Sequence, residues 1–301
     1  MHYLTSNNMN PSDNREVVNS INSFDTSVKI GVVGIGNNVG TTEIAASLSV
    51  WISERYFFAF GDPKVSFIEM AFFESSNMQF FKRYGMGRFL DRYSFQDVLT
   101  SLLISEKDEL SPNLSPKSEV ILPEMQKSNS WSGVNWMVPG ENLPYLFGAA
   151  LSVSTFSISG KKLSSAYDTL KSMISTPVAV FDLGRGLGKE YLLAEMDLVI
   201  GIAGPNNSIL HNRVNDIRSI ETYRKQGGNM MWTVNASSDG IDKKYIRKML
   251  AGGQIIYIPK FEDRRVLQCD SKMRFLFEDD FIKSELWKSF DRISGFFERA
   301  I

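Results

Sequence analysis

VKIGVV at residues 28–33, GIGNNVGTT at 34–42 and EIAASLSVWI at 43–52 form one continuous stretch that decides the fold. The first segment has the apolar composition of a buried strand, and the last has the composition and length of a helix. The glycine-rich turn between them brings backbone N–H groups to the start of the helix, where the helix dipole also favours an anion. This order of elements is typical of a phosphate-binding loop.

The turn contains the candidate phosphate ligands. Its glycines allow tight backbone geometry, and asparagine tolerates a positive φ better than most residues. The usual pattern, G-x-x-x-x-G-K-[ST], has a lysine where this chain has Thr41, whereas Thr42 stands where a hydroxyl would bind Mg²⁺. An ordinary turn in which Thr41 or Thr42 only caps the helix is the alternative interpretation. The candidate phosphate-binding residues are Gly36, Asn37, Asn38, Val39, Gly40, Thr41 and Thr42.

Asp182 is the candidate metal ligand elsewhere in the chain. It closes the apolar run 177–181 and precedes the glycine-rich segment 183–188. An acid at the carboxyl end of a strand can hold Mg²⁺ directly or through water, although a turn-capping role is the simpler alternative. Arg185 follows closely and is either a substitute cation for the missing lysine or a solvated loop residue. Asp182 and Arg185 are therefore the candidate catalytic residues.

The pattern along the chain predicts an α/β fold with a mostly parallel sheet flanked by helices on both faces. We expect residues 1–27 to form a flexible polar tail and 28–301 to form a single domain, with a surface excursion near 105–132. The predicted strands are 29–33, 65–70, 134–138, 178–182, 198–202, 230–235 and 254–258. The predicted helices are 42–54, 94–103, 162–174, 208–226, 243–251 and 281–299.

Composition excludes several classes of function. The 301 residues include 33 basic and 34 acidic side chains, so the chain lacks the basic footprint of a dedicated nucleic-acid binder. One cysteine precludes an internal disulfide framework, and two histidines preclude a histidine-rich metal site. No apolar run reaches membrane-spanning length. We expect a cytoplasmic protein that makes no direct contact with nucleic acid.

The ordered series of strand-end motifs resembles the MinD and ParA family of deviant-Walker P-loop ATPases, including its pilus-assembly branch, called CpaE or TadZ. The resemblance covers roughly residues 28–270 and implies a P-loop NTPase fold that binds ATP and Mg²⁺. It implies that Thr42 and Asp182 hold the metal. It also implies that Asn235 lies near the adenine and that Pro259 belongs to the segment flanking the base.

The chain departs from this family at the charged positions. Gly36 replaces the signature lysine, and Thr41 replaces the phosphate-binding lysine. Glu69 and Ala71 replace two aspartates, the second of which contacts the attacking water in the family. Because phosphoryl transfer depends on positioning and charge stabilisation, nucleotide binding can survive where hydrolysis is weak or absent.

The resemblance implies a homodimer that acts as a nucleotide-binding or pseudo-ATPase positioning module, with pilus or secretion assembly proteins as partners. One alternative is an active ATP-hydrolysing dimeric switch, in which Arg185 or a partner's residue supplies the charge. Another is a binding module that works through its surfaces without nucleotide. A short-chain dehydrogenase is a further alternative, because Ser154, Tyr167 and Lys171 have the spacing of its triad.

The apolar stripe of segment 281–299 has two interpretations. Its apolar residues recur at helical spacing, which is typical of a helix that packs on a core. Some members of the resembled family end in an amphipathic helix that lies on membranes. Such helices favour lysine and arginine on the polar face, whereas here acidic residues are mixed with basic ones. We therefore expect core packing and leave membrane contact open.

Overall fold

The computed structural model describes residues 27–36, 39–57, 62–69, 130–137, 174, 176–185, 190–251, 253–272 and 274–295. The strands are β1 (Val28–Gly34), β2 (Val65–Glu69), β3 (Ser130–Trp131), β4 (Val134–Met137), β5 (Val178–Arg185), β6 (Leu198–Ala203), β7 (Met230–Ser237) and β8 (Ile255–Pro259). The helices are α1 (Thr41–Tyr56), α2 (Glu190–Leu193), α3 (Asn207–Asn212), α4 (Val214–Lys225), α5 (Lys243–Met249), α6 (Asp263–Ser271) and α7 (Asp280–Phe290), with a 3₁₀ turn at Leu276–Glu278.

These strands form one sheet in the order β3-β4-β2-β5-β1-β6-β7-β8. Every pairing within it is parallel except that of β3 with β4. Strand β1 therefore lies between β5 and β6, and the carboxyl ends of the seven parallel strands meet at one edge. The predicted α/β fold with a mostly parallel sheet is confirmed.

Both faces of the sheet are covered, as predicted. Val178 and Val180 of β5 belong to an apolar cluster that contains residues of α1 and α7, whereas Ala179 and Phe181 belong to a second cluster with residues of α4 and α5. Successive residues of a strand point to opposite faces, so the two clusters lie on opposite sides. Burial on both faces explains why the parallel strands are continuous apolar runs in the sequence.

Six of the seven predicted strands agree with the structure to within two residues at each end, whereas β5 continues three residues past the predicted end, to Arg185. The sequence prediction missed β3. The predicted excursion 105–132 is wrong at its end, because Ser130 and Trp131 pair with β4, and Trp131 packs against the core. The rest of that segment, residues 105–129, lies outside the described residues, as do the polar tail up to residue 26 and the triad Ser154, Tyr167 and Lys171.

The predicted helices needed more correction. The single helix predicted over 208–226 is broken at Arg213, which separates α3 from α4. Helices α2 and α6 and the 3₁₀ turn were not predicted, and α7 ends earlier than the predicted 281–299. The predicted helix 94–103 and residues 162–173 lie outside the described part of the chain.

Helix α7 packs on the core, as its composition indicated. Ile282, Leu286 and Phe290 are buried in the same cluster as α1. The ring of Phe290 lies 5.9 Å from that of Trp51. On the polar side, Nζ of Lys283 lies 2.7 Å from a carboxylate oxygen of Glu54 at the end of α1. The apolar stripe of α7 is thus buried within the protein.

Candidate functional site

The residue that precedes α1 is a glycine, so the start of the helix receives no hydrogen bond from the side chain of its N-cap residue. The N-cap residue is Gly40, with φ 82° and ψ 26°, and it makes no side-chain capping hydrogen bond. The capping role that the alternative interpretation gave to Thr41 or Thr42 is therefore wrong. Because the first turn of a helix has N–H groups without helical partners, this end of α1 is suited to binding an anion.

Two close contacts explain the glycines of this turn. A Cβ on Gly34 would lie against Oγ1 of Thr41 and 3.0 Å from Cγ2 of Val39, so β1 must end in a residue without a side chain. Gly40 needs its positive φ to enter the helix, and it lies against the amide of Asn235. Thr41 and Thr42 are both more than nine-tenths buried at the start of α1.

Asn235, predicted to lie near a base, holds the turn in place. Its Nδ2 donates to the carbonyl oxygen of Val39 at 2.9 Å. Its Oδ1 accepts a hydrogen bond of 2.9 Å from the N–H of Ala236, which itself has a φ of 54°. Strand β7 is therefore joined to the turn although β6 separates β7 from β1 in the sheet.

Two buried carboxylates lie side by side on the neighbouring strands β2 and β5, of which β5 also pairs with β1. Glu69 ends β2 and is paired in register with Asp182 of β5, which is also in register with Val32 of β1. Both acids have 0% exposed surface. Oδ1 of Asp182 accepts from the N–H of Gly184 at 2.9 Å. Neither carboxylate oxygen of Glu69 has a hydrogen-bond partner among the described residues.

The electrostatics of this acidic pair favour a cation. Burial raises the pKa of Glu69 well above its usual range, and the neighbouring charge of Asp182 raises this pKa further. A proton or a metal ion shared by the pair would remove this repulsion. Among the described residues, no three histidine, cysteine, aspartate or glutamate side chains cluster closely enough to hold a metal by themselves. The further metal ligand predicted from the sequence is the hydroxyl of Thr42, which lies in the first turn of α1.

A cation that the sequence prediction missed lies beside the turn. A Cβ placed on Gly36 would be 3.6 Å from Nε and 3.9 Å from Cγ of Arg213. The break between α3 and α4 puts Arg213 there, and its N–H donates to the carbonyls of Ile209 and Leu210. The sequence offered no signal for this, because the segment lacks the glycine or proline that usually marks a break.

Glu43, in the first turn of α1, joins the site to the C-terminal segment. Its Oε1 accepts from the N–H of Leu276 at 2.8 Å. The pKa of Glu43 is raised to about 8, because burial and, to a smaller extent, the charge of Glu278 raise it more than the hydrogen bond from Leu276 lowers it. The first helical turn of the candidate site is thereby held against the 3₁₀ turn before α7.

The structure brings only some of the predicted site residues together. Thr41, Thr42, Val39, Gly40 and Asn235 converge on the turn, whereas Pro259 ends β8, the third strand from β1. Asn37, Asn38, Ala71 and the side chain of Arg185 lie outside the described residues. The backbone of Arg185 pairs with Gly34. No helix in the described ranges combines the length and apolarity needed to cross a membrane.

Comparison with solved structures shows which fold this is. A ParA family ATPase from Chlorobium tepidum superposes with a TM-score of 0.60 and 14% identity, over 90% of this chain and 98% of that one. MinD in a complex with MinC from Aquifex aeolicus gives a TM-score of 0.58 and 16% identity, over 89% and 96%. A variant of McdA from Cyanothece in complex with ATP gives a TM-score of 0.50 and 12% identity, over 90% of this chain and 98% of that one.

The chain therefore has the fold of the MinD and ParA P-loop ATPases. At these levels of identity the comparison shows the fold alone. The sequence matches no protein-family model and no curated protein.

Proposed function

We propose that the protein is a degenerate MinD/ParA-like P-loop protein that binds ATP and Mg²⁺ and acts as a positioning or assembly module. The observation that carries this proposal is the uncapped start of α1 next to the buried pair Glu69 and Asp182. An anion site after β1 and a cation site on β2 and β5 match the two charges of a metal–polyphosphate ligand.

Each part of the site has a role in this proposal. The backbone N–H groups of the turn and of the first helical turn bind the phosphates, with Gly36, Asn37, Asn38 and Thr41 in the turn. The hydroxyl of Thr42 and the carboxylate of Asp182 hold Mg²⁺, and Glu69 lies close enough to Asp182 to share the cation. Asn235 and Pro259 face the base, as the family resemblance implies. The metal neutralises phosphate charge when it is bound.

Hydrolysis is expected to be weak because the lysine positions are lost. A cation about 4 Å from a phosphate oxygen contributes on the order of 1–4 kcal/mol at water-like to surface-like dielectric. Thr41 and Gly36 contribute no charge at those positions, and Ala71 cannot contact a water molecule through a carboxylate. A loss of about 1.4 kcal/mol from the transition state already lowers a rate tenfold.

We further propose that the protein works in the cytoplasm as a homodimer that binds pilus or secretion assembly proteins. The support is the shared fold: one structural neighbour is a MinD bound to a different protein, MinC. Sedimentation velocity with and without ATP and Mg²⁺ tests the dimer. A monomer under both conditions would remove the homodimer from the proposal.

Calorimetry with ATP and Mg²⁺, combined with a phosphate-release assay, tests the central proposal. We expect binding that needs Mg²⁺ and little or no turnover. Asp182→Asn should abolish the Mg²⁺ dependence. Asp62→Asn is the matched control, because Asp62 is exposed and precedes β2, at the opposite edge of the sheet. Absence of binding by the wild-type protein at millimolar nucleotide would refute the proposal, and brisk turnover would remove its pseudo-ATPase part.

A further inference from the structure

The position of Arg213 suggests a role for it at the phosphate loop. A Cβ on Gly36 would lie 3.6 Å from Nε of Arg213. That separation is ordinary van der Waals contact, so the guanidinium occupies the space into which any longer side chain at position 36 would extend. Gly36 and Arg213 are therefore complementary: the residue without a side chain leaves room for the arginine.

The backbone fixes where Arg213 enters the site. The helix break leaves this residue with φ −110° and ψ 22° at the start of α4. Its carbonyl oxygen accepts from the N–H of Ile217 at 3.0 Å, and its own N–H donates back to α3. If α3 and α4 were one continuous helix, their side chains would point in different directions from those that they have in the structure. The break thus determines which side chain meets the loop.

The guanidinium is held only loosely by its neighbouring acid. Its Nη1 lies 3.9 Å from a carboxylate oxygen of Asp216, and 32% of the side-chain surface is exposed. This distance is too long for a hydrogen bond, so Asp216 orients the cation without occupying its N–H donors. A planar guanidinium whose donors are not taken up by Asp216 matches a phosphate group well.

The loop has no cation of its own. Between Lys29 and Arg55 the sequence contains neither lysine nor arginine, and Arg55 lies in the last turn of α1. Arg213 lies beside Gly36, near the start of α1, although it is distant from this helix in the sequence. It comes from the connection after β6, the strand beside β1.

We propose that Arg213 supplies the positive charge that the phosphate loop lacks and donates hydrogen bonds to the polyphosphate of the nucleotide. This inference rests on the proposed nucleotide-binding function. It assigns the role of a loop lysine to a side chain from another element, and it makes Arg213 a ligand-binding residue in place of Arg185.

Binding of ATP with Mg²⁺, and of inorganic pyrophosphate, to four proteins tests this assignment: wild type, Arg213→Gln, Arg213→Lys and Arg218→Gln. Arg218 is the matched control, because it is exposed on the same helix. We expect Arg213→Gln to weaken binding of both ligands about tenfold or more, with Arg213→Lys in between and Arg218→Gln unchanged. Thermal unfolding of each variant shows whether it remains folded.

A double variant separates a charge role from a structural one. Gly36→Lys combined with Arg213→Gln places a cation on the loop in the space that the arginine vacates, and we expect it to recover most of the lost affinity. A merely structural arginine would not be replaced in this way. If Arg213→Gln unfolds the protein, recovery in the double variant still decides the question, and failure to recover counts against the proposal.

The possible failures are distinguishable. A wild-type protein that binds neither ATP nor pyrophosphate would overturn the proposed function and this inference with it. A wild-type protein that binds both, with Arg213→Gln folded and binding equally well, would overturn the role of Arg213 alone.

Discussion

Nδ2 of Asn235 donates a hydrogen bond of 2.9 Å to the carbonyl oxygen of Val39, although the two residues are 196 positions apart. This bond joins the phosphate-loop candidate to the end of β7. It also puts an amide group directly beside Gly40, where a side chain would otherwise begin. The conformation of the turn is therefore set by a residue outside it.

Gly40→Ala should destabilise the protein by about 2 kcal/mol or more. The alanine would have to adopt a φ of 82°, and its Cβ would clash with Nδ2 of Asn235. Urea unfolding at neutral pH measures this change in the free energy of unfolding. Gly227→Ala is the matched control, because Gly227 also has a positive φ, of 93°, but open space around it.

Gly227→Ala should lower the free energy of unfolding only by the cost of the positive φ, about 1 kcal/mol. In the Asn235→Ala background, Gly40→Ala should cost only the backbone contribution, because the clash with the amide is absent there. Equal losses in Gly40→Ala and Gly227→Ala would show that the amide of Asn235 does not restrict the turn.

Glu43→Gln should stabilise the protein at alkaline pH. Because the pKa of Glu43 is raised to about 8, the folded protein holds a proton that the unfolded chain releases near the usual glutamate pKa of 4.5. Its contribution to stability is full below the unfolded pKa and is lost as the pH rises through the folded pKa. The glutamine still accepts from Leu276 and carries no charge.

We expect the variant to exceed wild type by on the order of 2 kcal/mol at about pH 9, since the half-buried side chain is partly screened by solvent. The difference should vanish at about pH 4, where Glu43 is protonated in both states. Thermal unfolding across this range measures it. A difference in stability between the variant and wild type that does not change with pH would contradict the raised pKa of Glu43.

Glu69→Gln should likewise stabilise the metal-free protein as the pH rises. Burial and the charge of Asp182 raise the pKa of Glu69, so its contribution to stability is lost as the pH rises through the folded pKa. The expected gain at alkaline pH in EDTA is on the order of 1–3 kcal/mol. Addition of Mg²⁺ should stabilise wild type more than the variant. Equal stability of the two proteins in EDTA at all pH values would refute this.

Phe290→Ala should destabilise the protein by about 3–5 kcal/mol, because the ring is buried against Trp51. Phe281→Ala on the same helix is the control, since Phe281 is 50% exposed and its replacement should cost less than about 1 kcal/mol. Urea unfolding compares the two. Similar losses would mean that the stripe of α7 is not a core face.

The fold was predictable because the parallel strands are buried on both faces. Segments such as VAVF at 178–181 are continuous apolar runs, which carry a strong signal in the sequence. Strand β3 was missed because a two-residue strand has no periodicity to detect. The break at Arg213 was missed because the segment 207–225 contains neither glycine nor proline.

The candidate site was predictable only in the parts that are local in sequence. The turn at residues 34–42 and Asp182, which closes the apolar run 177–181, were identified from their neighbours along the chain. The approach of Arg213 to Gly36 and the bond from Asn235 to Val39 depend on the order of β1, β6 and β7 in the sheet. No local pattern encodes such contacts.

The position of β1 between β5 and β6 has a consequence during synthesis. Its first residue, Val28, pairs with Val178, which leaves the ribosome about 150 residues later. At roughly 5–20 residues per second, the strand waits on the order of 10–30 s for either neighbour. The central strand of the sheet therefore pairs only with late-synthesised strands, so completion of the sheet requires contacts of long sequence separation, which slow folding.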